Sequence, residues 1–129
     1  MKLLLDTNVL VAAVTRDTDR SDDAIELLND TDQQFVSVLN LMELRSVLTK
    51  KKGFERDRIQ QIENRIVSRT TVTFPDASDV MAANRLQSET LLYPMDALVF
   101  AAADAIDATL VSFDSELIEH GAKSPTAVR

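Results

Sequence analysis

An apolar run at residues 3–5 stops at an aspartate, Asp6, and the chain then passes at once into a helical pattern of apolar residues. A parallel strand that is covered on both faces shows such a continuous apolar run. Because there is no room for a long loop, Asp6 falls at the carboxyl end of this strand, where open α/β sheets carry their ligand sites. This feature predicts an α/β fold and raises the question of which other acids join Asp6.

Further strands are predicted where the chain is apolar, β-branched or aromatic, at residues 34–38, 71–74 and 109–113. Helical patterns separate them, and the helix that starts at Pro94 is apolar on every side at residues 97–103, which indicates burial. This alternation predicts one domain over residues 1–129, with α/β/α layers around a mostly parallel sheet. A weak pattern at residues 125–128 adds an edge strand and makes the sheet four- to five-stranded.

The composition excludes several classes of protein. The chain has 129 residues and is 45% hydrophobic, which is enough for one core. It has no cysteine, which excludes disulfides and thiolate metal sites and is compatible with a reducing interior. We find no signal-peptide pattern and no apolar run that could span a membrane, so we expect a cytoplasmic protein without membrane contact.

The charge is unevenly distributed along the chain. The net charge of −7 argues against a general polyanion binder. Residues 45–69, however, contain eight basic and three acidic residues, so this stretch carries +5 and the rest of the chain −12. Such a stretch could face a phosphate backbone, or it could be a solvated helix surface.

Four acidic residues stand beside apolar neighbours at a predicted strand end or helix start. Asp6 and Asp114 follow the first and fourth strands, whereas Glu43 and Asp96 fall in the first turn of a predicted helix. Because right-handed crossovers bring the carboxyl ends of parallel strands to one edge, we expect all four at one rim. Each also has a simpler explanation as a helix cap or dipole partner, and Asn40 with Glu43 resembles a capping box.

Helix capping does not require that four carboxylates share a cleft, and clustered carboxylates repel one another unless a cation lies between them. Oxygen ligands, with no cysteine and one distant histidine, His120, suit Mg²⁺ or Mn²⁺ rather than zinc. Such a metal can activate water for phosphodiester cleavage. The hydroxyls of Thr7 and Ser112 could orient a carboxylate or that water, or could simply bond the strand ends.

The four acidic blocks occur in a characteristic order and spacing: Leu-Leu-Asp6-Thr7-Asn8-Val-Leu, Asn40-Leu-Met-Glu43-Leu, Asp96-Ala-Leu-Val-Phe-Ala-Ala-Ala and Leu-Val-Ser112-Phe-Asp114. Over nearly the whole chain they resemble the PIN-domain ribonucleases, and within these the VapC-type toxins of toxin–antitoxin pairs. The resemblance implies a PIN-like parallel sheet between helices and Mg²⁺- or Mn²⁺-dependent endoribonuclease activity. It also implies a homodimer and inhibition by a small cognate antitoxin protein.

The resemblance also implies roles for individual residues. The catalytic, metal-binding residues would be Asp6, Glu43, Asp96 and Asp114, of which Asp6 and Asp96 match the family's most consistent ligands. Residues that fall where the family places small polar side chains are Asn8 and Ser112. The basic residues that could contact the RNA substrate or the antitoxin are Arg45, Lys50, Lys51 and Lys52.

Three other interpretations stay open. A housekeeping PIN nuclease that processes ribosomal RNA would carry the same acids. A degenerate binding module would keep the fold without the chemistry, although all four acids are present. A response-regulator receiver domain has a similar length and sheet, and Asp76 and Lys123 fit it faintly, but it leaves Glu43 and Asp96 without a role.

Overall fold

In this computed structural model, which describes residues 1–16, 18–30 and 33–128, the four main predicted strands form one sheet. The strands are β1 (Lys2–Leu5), β2 (Gln33–Ser37), β3 (Thr71–Thr73) and β4 (Thr109–Val111). They lie in the order β3-β2-β1-β4, and every neighbouring pair is parallel. The predicted α/β class and parallel sheet are therefore confirmed.

Helices occupy the segments between and after the strands. They are α1 (Thr7–Thr15), α2 (Ser21–Leu28), α3 (Val38–Lys50), α4 (Arg56–Arg69), α5 (Ala77–Glu89), α6 (Pro94–Ala105) and α7 (Ser115–Glu119). The first residue of α6 is Pro94, a position at which the missing N–H breaks no helical bond. Within the residues described, no helix is both long enough and apolar enough to cross a bilayer.

Alternate residues of β1 face two separate cores, one on each side of the sheet. Leu3 and Leu5 belong to a core that includes residues of α1, α2, α3 and α4, whereas Leu4 belongs to a core with α5, α6 and α7. All three leucines are fully buried, and burial of each stabilises the fold by about 1.5–3 kcal/mol. The predicted three-layer arrangement is thus confirmed, and β1 holds Asp6 firmly at its carboxyl end.

The helix after β2 begins earlier than predicted. The hydroxyl of Ser37 accepts a hydrogen bond from the N–H of Leu39 at 3.2 Å and so caps a helix that starts at Val38. The predicted capping box of Asn40 and Glu43 therefore does not form, and Glu43 lies in the second turn of α3 rather than the first.

The predicted edge strand at residues 125–128 is wrong. The segment Pro125–Val128 forms a 3₁₀ helix, because a proline has no N–H to donate to a strand ladder. The chain does reach the sheet just before it, where Lys123 forms an isolated parallel bridge with Val111. The described sheet therefore has four strands.

Candidate active site

A cleft of about 450 Å³ opens at the carboxyl edge of the sheet, and all four predicted acids line it. Asp6 enters from the β1–α1 junction and Asp114 from the β4–α7 junction. Glu43 projects from α3, and Asp96 projects from the first turn of α6. Segments that are far apart in the chain therefore place four carboxylates around one opening, together with Thr7 and Asn8. We call this opening the carboxylate cleft.

Asp6 is a buried member of this group, with 8% of its surface exposed. Its Oδ1 accepts a hydrogen bond from the N–H of Thr7 at 2.9 Å and lies 3.4 Å from the amide nitrogen of Asn40. Its Oδ2 accepts a hydrogen bond from the hydroxyl of Ser112 at 2.8 Å. Three donors therefore fix the carboxylate of Asp6 in one orientation.

Ser112 connects the ends of β1 and β4 and is fully buried. Its hydroxyl donates its one proton to Asp6 and accepts hydrogen bonds from the side-chain amide of Asn8 and the N–H of Asp114, both at 3.0 Å. Asn8 in turn accepts a hydrogen bond from the N–H of Phe113 at 3.1 Å. Because all the bonding capacity of the hydroxyl is used, Ser112 orients Asp6 rather than a water molecule.

Asn40 is a further residue of the site that the sequence did not predict, because it was interpreted as part of a capping box. This side chain is 1% exposed, and its amide nitrogen donates to Oγ1 of Thr7 at 3.0 Å and approaches Asp6. Its own Oδ1 has no hydrogen-bond partner among the described residues. The sequence did carry a signal, because residues three apart share one face of a helix, and Asn40 lies three residues before Glu43.

Helix capping and clustering coexist at this site. Asp114 caps α7 by accepting the N–H of Glu116 at 2.9 Å, and Asp6 caps α1. Asp96 is the third residue of α6, where it faces the positive end of the helix dipole. The simpler explanations are therefore correct for Asp6, Asp96 and Asp114 but not for Glu43, and they do not account for the shared cleft.

Burial and the proximity of the other acids raise the pKa of both Asp96 and Asp6. Burial, followed by the negative charges of Asp6, Asp114, Glu116 and Glu43, raises the pKa of Asp96 to about 6. Burial also raises the pKa of Asp6, and the charges of Glu43 and Asp114 add to this rise, while its hydrogen bonds oppose it. Both groups are therefore less stable as anions than ordinary aspartates, and a cation in the cleft would relieve this cost.

The donor set of the cleft fits Mg²⁺ or Mn²⁺, because it offers carboxylate oxygens and no sulfur or imidazole. His120 lies at the end of α7 and does not line the cleft. In the parts of the chain that the structure describes, no three acidic, histidine or cysteine side chains are close enough to hold one ion together. Mg²⁺ commonly uses one or two carboxylates and keeps several waters, so this arrangement suits a partly hydrated ion.

The four predicted basic contact residues are divided between different surfaces. Lys51 and Lys52, at the end of α3, line the carboxylate cleft, whereas Arg45 and Lys50 do not. Arg45 instead forms an ion pair with Glu63 of α4, so its charge is used within the protein. Of these four residues, Lys51 and Lys52 are the two that lie at the cleft.

A second concave surface, of about 510 Å³, lies between α1, α2 and α4 and holds more of the basic stretch. Its lining is partly apolar and includes Val14, Leu28 and Ile66. Four arginines also line it, which are Arg16, Arg58, Arg65 and Arg69. We call it the arginine groove, and none of the four site carboxylates lines it.

The sequence model of the PIN domain matches residues 3–123, and the chain therefore belongs to the PIN-domain family. Proteins of this family are typically nucleases and generally use divalent metals. Membership of this family excludes the receiver-domain interpretation. In agreement, the carboxylate of Asp76 accepts the N–H of Asp79 at 3.1 Å as the cap of α5, and Asp76 does not line the cleft.

The structural neighbours are VapC- and FitB-type toxins of toxin–antitoxin pairs. VapC20 of Mycobacterium tuberculosis, described as a sarcin–ricin loop cleaving toxin, matches with a TM-score of 0.78 and 19% identity, over 92% of this chain and 95% of that one. VapBC2 of Rickettsia felis, bound to promoter DNA, matches with a TM-score of 0.74 and 24% identity, over 94% of this chain and 93% of that one. FitAcB of Neisseria gonorrhoeae matches with a TM-score of 0.76 and 15% identity, over 96% of this chain and 98% of that one. At these low identities, the structural likeness shows the fold alone. No curated protein matches the sequence.

Proposed function

We propose that this protein is a Mg²⁺- or Mn²⁺-dependent endoribonuclease that hydrolyses RNA phosphodiester bonds, as the toxin of a VapBC-type pair. The observation that carries the proposal is the convergence of Asp6, Glu43, Asp96 and Asp114 on one cleft. The raised pKa of Asp96, to about 6, supports it, because perturbed acids in a cleft are a common mark of a functional site.

We assign different roles to the four carboxylates of the cleft. Asp6 and Asp96 would hold the ion, and Asp6 is kept in place by its bonds to Thr7 and Ser112. The metal supplies, when bound, a Lewis acid and an activated water for attack on phosphorus. Glu43 and Asp114 are exposed at the cleft, where their carboxylates can orient a water molecule or accept its proton.

The purified protein should cleave at least one RNA of a panel of defined transcripts when Mg²⁺ or Mn²⁺ is present. Chelation by EDTA should lower the rate by about 10²-fold or more, because the metal both activates the water and offsets the developing charge. Cleavage is followed by denaturing gel electrophoresis, with DNA of the same sequence as the control substrate. A folded protein that cleaves no RNA of the panel in either metal would contradict the nuclease assignment.

The proposal includes a cognate antitoxin as partner. An amphipathic segment lays its apolar face into a hydrophobic groove, and arginines around such a groove can pair with acidic side chains. The arginine groove offers both features, with Ile66 in its lining and Arg65 and Arg69 beside it.

A homodimer is also part of the proposal, and exposed apolar side chains such as Leu91, at 93% exposure, and Met81, at 62%, support it. We place the protein in the cytoplasm, where its RNA substrates are.

Charge reversal in the arginine groove should weaken antitoxin binding. We expect the double variant Arg65→Glu, Arg69→Glu to bind the product of a short reading frame next to the gene at least about tenfold more weakly, since like charges across an interface repel. Titration calorimetry measures the affinity, and Arg85→Glu on α5, outside both concave surfaces, is the matched control. Equal affinity of all three proteins would remove the groove from the proposal. The absence of any such neighbouring frame would favour a housekeeping nuclease.

A further inference from the structure

The carboxylate cleft also contains an arginine, Arg20, which stands at the start of α2. Its guanidinium carbon lies 5.0 Å from the centre of the Phe113 ring, a distance at which a cation is attracted to the face of an aromatic ring. The N–H of Phe113 is bonded to the side chain of Asn8 at 3.1 Å, and Ser112 and Asp114 are its chain neighbours. The ring is therefore held beside the site, and it positions the guanidinium there in turn.

The way in which Arg20 is held leaves its hydrogen-bond donors available. The attraction between the guanidinium and the ring of Phe113 is electrostatic and uses no hydrogen bond to an acid, and a guanidinium carries five N–H donors. Arg20 is exposed and forms no ion pair with any residue that the structure describes, although four carboxylates line the same cleft. An arginine that is positioned by a ring rather than by an acid keeps its charge and its fork of donors for a ligand.

Two lysines that directly follow α3, Lys51 and Lys52, add further positive charge to the cleft. Glu43, Val47 and Lys51 follow one another at intervals of four residues and all line the cleft, so they form one stripe along the helix. Lys51 stands two turns beyond Glu43, or about 12 Å along the helix axis. The cleft is therefore acidic at the edge of the sheet, and the positively charged side chain of Lys51 lies further along it.

We propose that Arg20 binds a phosphate of the RNA strand next to the bond that is cleaved, with two N–H donors on its non-bridging oxygens. This inference rests on the proposed function and assigns a residue that holds the substrate. The planar fork of a guanidinium matches a phosphate, and such contacts fix the register of the strand without reading its bases. Lys51, further along the cleft, meets a phosphate more distant from the cleaved bond.

The test measures RNA binding separately from cleavage. In an Asp96→Asn parent with Mg²⁺, a labelled single-stranded RNA is titrated by fluorescence anisotropy at several salt concentrations. Adding Arg20→Gln should weaken binding about tenfold and reduce the salt slope by about 0.7, the value for one phosphate contact on a single strand. Arg20→Lys should keep the salt slope and lose a few-fold in affinity, because it keeps the charge but not the fork.

Two further variants separate a role in binding from a role in structure. Phe113→Leu should weaken RNA binding when Arg20 is present and have little effect after Arg20→Gln, since the ring acts through the guanidinium. Arg85→Gln removes the same charge from α5, outside the cleft, and should bind RNA like the parent. In the active protein, Arg20→Gln should raise KM about tenfold with kcat within a few-fold of wild type.

The outcomes distinguish this inference from the proposal on which it depends. If the wild type cleaves no RNA of the panel, the ribonuclease proposal falls, and the role of Arg20 falls with it. If the parent binds and Arg20→Gln binds equally well, only the role of Arg20 is overturned. A loss of antitoxin binding with unchanged RNA binding would likewise overturn it, since Arg20 would then contact the protein partner instead.

Discussion

Replacement of Asp96 by asparagine should lower kcat/KM for RNA by about 10²- to 10³-fold, the scale on which the loss of one electrostatic group acts in other enzymes. The substitution keeps the size of the side chain and removes its charge. Burial and the charges of Asp6 and Asp114 already raise the pKa of Asp96, so its anion is costly to the metal-free fold. We therefore expect Asp96→Asn to lose cleavage and to keep or gain thermal stability.

The same helix supplies a matched control for this substitution. Asp104 lies eight residues further along α6, is exposed and does not line the carboxylate cleft. Asp104→Asn should cleave RNA like the wild type. Calorimetric titration with Mn²⁺ should show weaker binding for Asp96→Asn alone. Equal cleavage by Asp96→Asn and wild type, in both Mg²⁺ and Mn²⁺, would remove Asp96 from the site.

The fold was largely predictable from the sequence, because its main elements have strong local patterns. The leucines of β1 form a continuous apolar run, and Pro94 marks the start of a helix that is buried on nearly every side. The errors arose where short-range signals compete. Asn40 looked like a helix cap, but Ser37 caps α3 instead. The polar tail was predicted as a strand, although Pro125 cannot donate to a ladder.

The sequence could predict that the four acids lie at one edge of the sheet, but not which other side chains contact them. Parallel strands bring their carboxyl ends to one edge, and this rule alone placed Asp6 and Asp114 together. The sequence could not show that Asn40 reaches Asp6, because that contact depends on how α3 packs against α1. Nor could it place Arg20 in the cleft, since only the fold brings the start of α2 over the ring of Phe113.

Acidification should switch off metal binding and cleavage together, through two carboxylates of the cleft. A divalent ion binds the ionised form, so protons compete with the metal below the pKa of each ligand. The pKa of Asp96 is raised to about 6, and that of Asp6 is also raised, by burial and then by its acidic neighbours. At a fixed, subsaturating Mg²⁺ concentration, cleavage should fall about tenfold per pH unit below pH 6, and more steeply as Asp6 also takes up a proton.

The metal-free protein should show the opposite dependence of stability on pH. Because the folded state raises the pKa of Asp96 above its unfolded value, the folded state binds this proton more tightly. The stabilisation is full below the unfolded pKa of about 3.9 and is lost as the pH rises through about 6. Urea unfolding of wild type and Asp96→Asn from pH 4 to 7.5, without metal and with Mg²⁺, measures this as a difference between the two proteins. Wild type should lose free energy of unfolding relative to Asp96→Asn as the pH rises, and Mg²⁺ should restore it. If the free energies of unfolding of the two proteins change with pH in parallel in both conditions, the pKa of Asp96 is not raised by folding. Mg²⁺ binding would then not depend on Asp96.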